Sequence, residues 1–342
     1  MKLKALAIDL AKNTFYLVGF DAENQPAWRK KLSRRQLESV IARQAPTLIA
    51  MEACASAHHW ARRFSQYGHQ IKLLPPQHVK AYLRGQKNDY NDAQAIGEAA
   101  CHGAIRGVVV KTVEQQDQQA FHRLRRQLKG EQTRLINQLR GLLGEYGLVI
   151  ASGIHHASKA IPQMLADTEN GLTPGLRALV QRQYERYVAL REELAWYDQQ
   201  LEQAASTNPR IKHLQTVPGF GPVNASVLCS WLGDGTQFRR GRDASAALGL
   251  VPRQHSTGGR DRLFGITKRG DSEVRTMVVH GARAVVSRAK GKTDRLSLWI
   301  NQLVERRGFN KAAIALANKM IRIAWALIVR GESYRCAANP VS

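Results

Sequence analysis

The order in which short strand-like runs and helical patterns alternate over the first hundred residues constrains this chain more than any other feature. LKALAIDL, NTFYLVGF, PTLIAMEA and HQIKLLPP are short β-rich runs bounded by turn residues, and a polar turn at Asp21 to Gln25 closes the second run. RRQLESVIARQ and ASAHHWARRFSQYG carry helical spacing, and a third helix is expected to begin near Asn91. Two or three hairpin-connected strands, then a helix, a strand, a helix, a strand and a final helix define an α/β domain over residues 1–110. No GxGxxG follows the first strand, so the order is not that of a dinucleotide-binding fold.

Beyond it the pattern turns helical, which makes the chain α/β plus α. Thr112 to about Tyr146 places Leu124, Leu128, Leu135, Leu139 and Leu142 on one stripe. Thr173 to about Ser206 does the same with Leu176, Leu179, Val180, Tyr184, Tyr187, Leu190, Leu194 and Tyr197. Two long amphipathic helices joined by a Gly-, Ser- and Pro-containing segment, Gly147 to Pro174, suggest an antiparallel pair: either a helical spacer or a coiled-coil oligomerisation arm over 111–206. A mainly helical, Gly-rich and basic domain is expected over 207–335.

The 342 residues carry 51 Lys plus Arg against 27 Asp plus Glu, a formal +24. That excess points to a polyanionic partner, nucleic acid first. Between Arg239 and Arg307 there are 16 cationic and 6 acidic residues, a local +10 suited to tracking phosphates. Cys54, Cys101, Cys229 and Cys336 are too scattered for a zinc knuckle or a disulfide framework, so reduced intracellular thiols are expected. The N-terminal run MKLKALAIDL is broken by Asp9 and reads as a strand rather than an export signal. Ala312 to Val329 is the best membrane candidate, but Lys319 and Arg322 near its centre would each cost about 2.5–3.5 kcal/mol in a bilayer, so a soluble helix is expected.

The chemistry is expected at a few carboxylates. Asp9 sits inside an otherwise apolar strand, Glu52 ends the run LIAM, and Asp89 and Asp92 open a helix three residues apart on one face. Asp89 or Asn91 could cap that helix, but capping explains neither Asp9 nor Glu52. If the strands pair in the hairpin-then-crossover order, Asp9 and Glu52 become neighbours and the last helix brings Asp89 and Asp92 alongside. Four hard oxygen ligands suit Mg2+ or Mn2+, and two ions about 3.5–4 Å apart would clamp the attacking and leaving oxygens of a phosphodiester.

Two further segments could hold phosphate. TVPGFGPVNASVL has the Gly-hydrophobic-Gly hairpin of helix-hairpin-helix elements, where backbone N–H groups around Gly219 and Gly221 grip DNA without reading sequence; a plain turn between helices is the competing reading. LGLVPRQHSTGGRDRLFGITKRGD sets Ser256 and Thr257 before two glycines, with Arg253, His255, Arg260, Lys268 and Arg269 around them. A hydroxyl on such a loop could attack a phosphate whose charge the cations stabilise, or it could form an ST-turn in a basic loop.

Taken together, IDLAKN, MEAC, KNDYNDAQAI, TVPGFGPVNAS, LGLVPRQHSTGG and GITKRGD resemble the DEDD transposases of the IS-one-ten family, in particular its IS-one-one-one-one branch, relatives of the Piv invertases, over about residues 3 to 333. The resemblance implies an N-terminal RuvC-like, ribonuclease-H-fold domain, a coiled-coil region and a C-terminal transposase domain. It implies a bacterial, cytoplasmic, nucleoid-associated enzyme that recombines double-stranded DNA through a circular intermediate, guided by a structured non-coding RNA, as a dimer to tetramer. Asp9, Glu52, Asp89 and Asp92 take the metal-binding roles. The family's serine nucleophile falls on Thr257 when counted from Pro252 without a gap and on Ser256 with a gap of one; the less hindered primary hydroxyl of Ser256 is the expected one. Competing classes are a RuvC-like structure-specific nuclease of the Holliday-junction resolvase type, which would use the carboxylates and water alone, and a nucleic-acid-binding scaffold in which the acidic cluster is structural.

Overall fold

The structure, a computed structural model, describes residues 3–84, 86, 88–102 and 105–335; Lys87 of the KNDYNDAQAI run and Cys336 lie outside them. The chain forms two compact units, Met1–Thr112 and Val113–Ser342.

In the first unit β1 (Ala5–Asp9), β2 (Thr14–Phe20) and β3 (Pro26–Ser33) form an antiparallel meander. Helix α1 (Arg34–Ala42) leads to β4 (Leu48–Glu52), and α2 (Ala57–Gln66) leads to β5 (Gln70–Leu74). β4 and β5 join parallel to the other edge of β1, which gives the order β3-β2-β1-β4-β5. A short turn of helix, α3 (Pro76–Val79), precedes α4 (Asp89–Cys101). This mixed sheet is compatible with a RuvC-like domain.

Alternation along each strand divides the core into two layers. Leu6, Ile8, Phe15, Leu17, Ile49 and Met51 meet α1 and α2 through Leu37, Ile41, Trp60 and Phe64. Ala5, Ala7, Val18, Phe20 and Ala50 meet α4 through Ala93, Ile96 and Ala100. The small residues on this second face let α4 lie close. At Gly97 a Cβ would stand 1.9 Å from the Phe20 ring, so only glycine permits the approach.

α4 begins at Asp89, so Asp89 and Asp92 do open it, and its cap is neither Asp89 nor Asn91. The Asn88 side chain accepts the Tyr90 N–H at 2.9 Å, with Asn88 in extended backbone geometry. Asp89 is thereby left free of the capping role.

The second unit opens with two long helices, α5 (Val113–Gly144) and α7 (Pro174–Thr207). They run antiparallel: Arg125 donates to Asp198 at 2.6 and 2.8 Å, and Arg186 approaches Glu131. The joining segment is not irregular throughout, because Ile154–Ala166 forms α6 despite Pro162 inside it. The stripes also differ from expectation. Leu135, Ile136, Leu139 and Leu143 are buried, whereas Leu124, Leu142 and Leu179 are exposed.

Helices α8 (Pro209–Gln215), α9 (Pro222–Leu232) and α10 (Gly241–Ala247) follow, then α11 (Ser272–Ser287), α12 (Arg295–Arg307) and α13 (Phe309–Arg330). α13 is long and apolar enough to cross a membrane by length and composition. Here it is a core helix: Ala313, Leu316, Ala317, Met320, Ala324 and Leu327 pack among Leu228, Ala244, Val278 and Ile300, and the Lys319 ammonium lies 4.8 Å from the Trp299 ring centre.

The segment expected as a Gly-flanked loop is a β-hairpin, β6 (Pro252–Thr257) and β7 (Arg260–Ile266), turned by Gly258 and Gly259. Both glycines have positive φ, 54° and 74°, the backbone that a tight two-residue turn demands.

Candidate functional site: a carboxylate cluster and a serine hairpin

Strand pairing builds the first site. β1 and β4 run parallel with Ile8 beside Met51, so Asp9 and Glu52 follow one another at the C-terminal ends of adjacent strands. α4 packs across β1 and points its N-terminus at the same ends, with Asp89 and Asp92 one helical turn apart. Carboxylate oxygens of Asp9, Asp89 and Asp92 all lie within 4.8 Å of one another. Glu52 stands outside that trio but close enough to act on it electrostatically.

Burial and mutual repulsion oppose ionisation here. Asp9 is pushed up from 3.8 to about 6, first by desolvation and then by the charges of Asp92, Asp89 and Glu52, against one opposing hydrogen bond from the Leu10 backbone. Glu52 is raised by burial and by Asp92. The Cys54 thiol is raised by burial and by Glu52 and Asp9, which keeps it protonated beside them. Three crowded carboxylates from two elements, one with its proton affinity raised, make an oxygen donor set suited to a hard divalent cation, whose charge would relieve that repulsion.

The second arrangement is on the hairpin. Ser256 pairs with Asp261 across the strands, and its hydroxyl donates to the Asp261 carboxylate at 2.5 Å. The Gln254 amide donates to both, at 2.8 Å to Ser256 and 3.1 Å to Asp261. These hydrogen bonds hold Asp261 below the usual carboxylate range, Ser256 contributing most. Thr257 is the neighbouring strand residue, opposite Arg260. Sequence reasoning missed Asp261. The signal that could have found it is the Gly-Gly pair, a two-residue hairpin turn that sets residues 256 and 261 face to face.

Among the remaining candidates, Arg253, Lys268 and Arg269 are exposed, and Lys268 has a positive φ of 55°. Gly219, between α8 and α9, is closed against α11: a Cβ there would lie 2.7 Å from the Gly281 carbonyl oxygen. Gly221 is open at the start of α9.

Comparison with known proteins places the chain in one family. A model of DEDD transposases of the IS110 type matches residues 6–148, and one described as "Transposase IS116/IS110/IS902 family" matches residues 211–297. The chain is 44% identical over 336 residues to the transposase for insertion sequence element IS1111A of Coxiella burnetii, covering 98% of this chain and 92% of the relative. It is 43% identical to a probable family 20 transposase of Pseudomonas aeruginosa, covering 98% and 99%. The transposase for insertion sequence element IS1328 of Yersinia enterocolitica is 38% identical, covering 96% and 98%.

Proposed function

This chain belongs to the IS116/IS110/IS902 family of transposases and is a DNA transposase of an insertion sequence, and we propose that it cuts and rejoins DNA with a metal-holding carboxylate cluster and the Ser256 hydroxyl. The observation that carries this reading is the convergence of Asp9, Asp89 and Asp92 within 4.8 Å, with Asp9 raised to about 6. Asp9, Glu52, Asp89 and Asp92 would hold Mg2+ or Mn2+. When bound, such ions supply positive charge to the phosphodiester oxygens that gain negative charge during displacement.

The chain's own residues have distinct parts. Asp9 and Glu52, at strand ends, would fix the cluster relative to the sheet, and Asp89 and Asp92 would be brought to it by α4, which packs closely on that sheet. On the hairpin, Asp261 accepts the Ser256 hydrogen and directs the Oγ lone pairs, and Gln254 holds both partners in place. Ser256 Oγ would attack phosphorus and form a phosphodiester to the protein as the bond from phosphorus to one DNA ribose oxygen breaks, and the Ser256 proton would pass by way of Asp261 to that departing oxygen, which leaves as a hydroxyl end. Arg253, Lys268 and Arg269 would hold neighbouring phosphates, and Gly221 would offer its backbone N–H at the start of α9. Thr257 completes the nucleic-acid contacts of this reading, while Gly219, closed against α11, would serve the packing of the turn rather than touch DNA. In keeping with the family resemblance, the protein would act as a homo-oligomer, and a structured non-coding RNA would choose the target.

The test is strand cleavage of a supercoiled donor and target with the element-end RNA and Mg2+, resolved on a denaturing gel before and after protease. A protease-sensitive adduct is expected in the wild type and absent in Ser256→Ala and Asp9→Asn. An adduct that survives Ser256→Ala and disappears in Thr257→Ala moves the nucleophile by one residue. Cleavage with no adduct replaces the reading by a water-using nuclease.

A further inference from the structure

The sheet carries a second row of chemistry beside the carboxylates. Asp9 on β1 pairs with Tyr16 on β2, and Tyr16 pairs with Lys31 on β3; Arg29, two residues before Lys31, pairs with Val18. Paired residues share a face, and that of Val18 and Tyr16 is the α4 face. Asp9, Tyr16 and Lys31 therefore form a row, with Arg29 beside it. Tyr90 of α4, the residue after Asp89, meets Tyr16 edge to face at 4.9 Å between ring centres.

Both cations are held by these rings. The Lys31 ammonium lies 5.5 Å from the Tyr16 ring centre, and the Arg29 guanidinium lies 5.9 Å from that of Tyr90. Arg29 also donates to the Gln94 side chain of α4 at 2.9 Å. Cation–π contact and the amide restrict where each charge can go, yet they do not neutralise it. No ion pair among the described residues involves Arg29 or Lys31, and both side chains are exposed on the edge strand.

We infer that Arg29 and Lys31, with Tyr16 and Tyr90 beneath them, form a shelf for the backbone phosphates flanking the one that is cut. The inference rests on the carboxylates being the phosphodiester site. Adjacent strands are about 4.8 Å apart, so β3 runs about 10 Å from Asp9, within a few phosphates of a strand whose scissile group sits at the cluster. A site of crowded carboxylates repels a polyanion. Fixed, unpaired cations on the same sheet face offset that repulsion and set the direction in which the strand leaves. The occupant is a DNA strand because the row is continuous with the carboxylate site and presents charges in a line along one sheet face.

Lys30 supplies the control. It lies on the same edge strand but pairs with Leu17, whose side chain faces the α1 and α2 layer, and its ammonium rests over Trp28. Single-turnover cleavage of a labelled duplex carrying the element's end, with RNA and saturating Mg2+, gives an apparent DNA affinity at several salt concentrations. Lys31→Gln and Arg29→Gln are each expected to weaken it and to make the slope of log affinity against log salt shallower by about 0.9, the pair by about 1.8. Lys30→Gln should match the wild type. Unchanged slopes in Lys31→Gln and Arg29→Gln, or an equal change in Lys30→Gln, would overturn the shelf. Asp9→Asn in the same series separates the two readings: cleavage that persists there sinks the carboxylate site, whereas cleavage lost there with unchanged shelf variants sinks the shelf alone.

Discussion

Replacing Asp9 by Asn should make the metal-free N-terminal unit more stable while removing its response to Mg2+. The substitution keeps the shape of the side chain and an oxygen that can still accept from the Leu10 backbone, but it deletes the charge that burial and three carboxylates oppose. Moving the Asp9 titration from 3.8 to about 6 sets an upper limit of about 3 kcal/mol at neutral pH, from 1.36 kcal/mol for each tenfold change in acidity. Asp9 is only partly buried, so solvent screening brings the gain to about 1–2 kcal/mol. For a unit of this size each kilocalorie moves the melting temperature by about 4–8 °C. Differential scanning calorimetry of the intact chain in EDTA should therefore show one transition about 5–10 °C higher in Asp9→Asn. Adding Mg2+ at about 100 times its dissociation constant should stabilise the wild type by about 2.7 kcal/mol and the variant hardly at all. An Asp9→Asn protein that melts lower than wild type in EDTA, or gains as much from Mg2+, would refute the argument that these carboxylates are held together against their own repulsion.

Three other outcomes rest on the same geometry. Because Asp9 binds its proton more tightly in the folded state than in the unfolded one, its contribution is fully present below about pH 4 and lost as pH rises through about 6. In EDTA the melting difference between Asp9→Asn and wild type should accordingly grow from near zero at pH 4 to its full value above pH 6, and a flat difference would contradict this. Gly97→Ala should destabilise the first unit by about 1–3 kcal/mol through overpacking against Phe20 and weaken Mg2+ binding measured by calorimetry, since α4 carries Asp89 and Asp92. Leu139→Ala, in the core between the long helices, should cost about 2–5 kcal/mol in chemical denaturation while leaving the Mg2+-responsive transition in place.

Four of the five strands of the first unit were legible because their apolar runs are short and separated by turn residues, and Asp9 stood out as a charge inside such a run, whereas β3, basic and exposed on the sheet edge, carries no apolar run and left the meander open at two or three strands. That order alone put Asp9 beside Glu52, as β1 beside β4 now does. The capping residue was not legible, because Asn88, Asp89 and Asn91 all have the chemistry and only backbone geometry distinguishes them. α6 was hidden by its glycine and proline surroundings. Leu124, Leu142 and Leu179 fit a helical stripe by spacing, but the partner helices do not reach them. The β6–β7 hairpin escaped because strands exposed on both faces carry no alternation of apolar and polar residues. The aromatic and cationic row around Tyr16 was equally silent, since its members come from three separated segments.

The two-glycine turn limits how this protein can change length. The hairpin touches the core only at its base, through Ile266, so the register of the outer pairs around Ser256 is set by Gly258 and Gly259. A single residue inserted after Gly259, with the same turn re-formed, would set Ser256 opposite Arg260 instead of Asp261. Where the irregularity between Pro252 and Gln254 takes up the shift, Ile266 keeps its core packing, and an uncharged insert leaves the net charge as it was. The protein would nevertheless have exchanged a hydrogen-bond acceptor for a cation beside the hydroxyl, so a length change in an exposed segment, ordinarily among the best tolerated, would here be a chemical substitution.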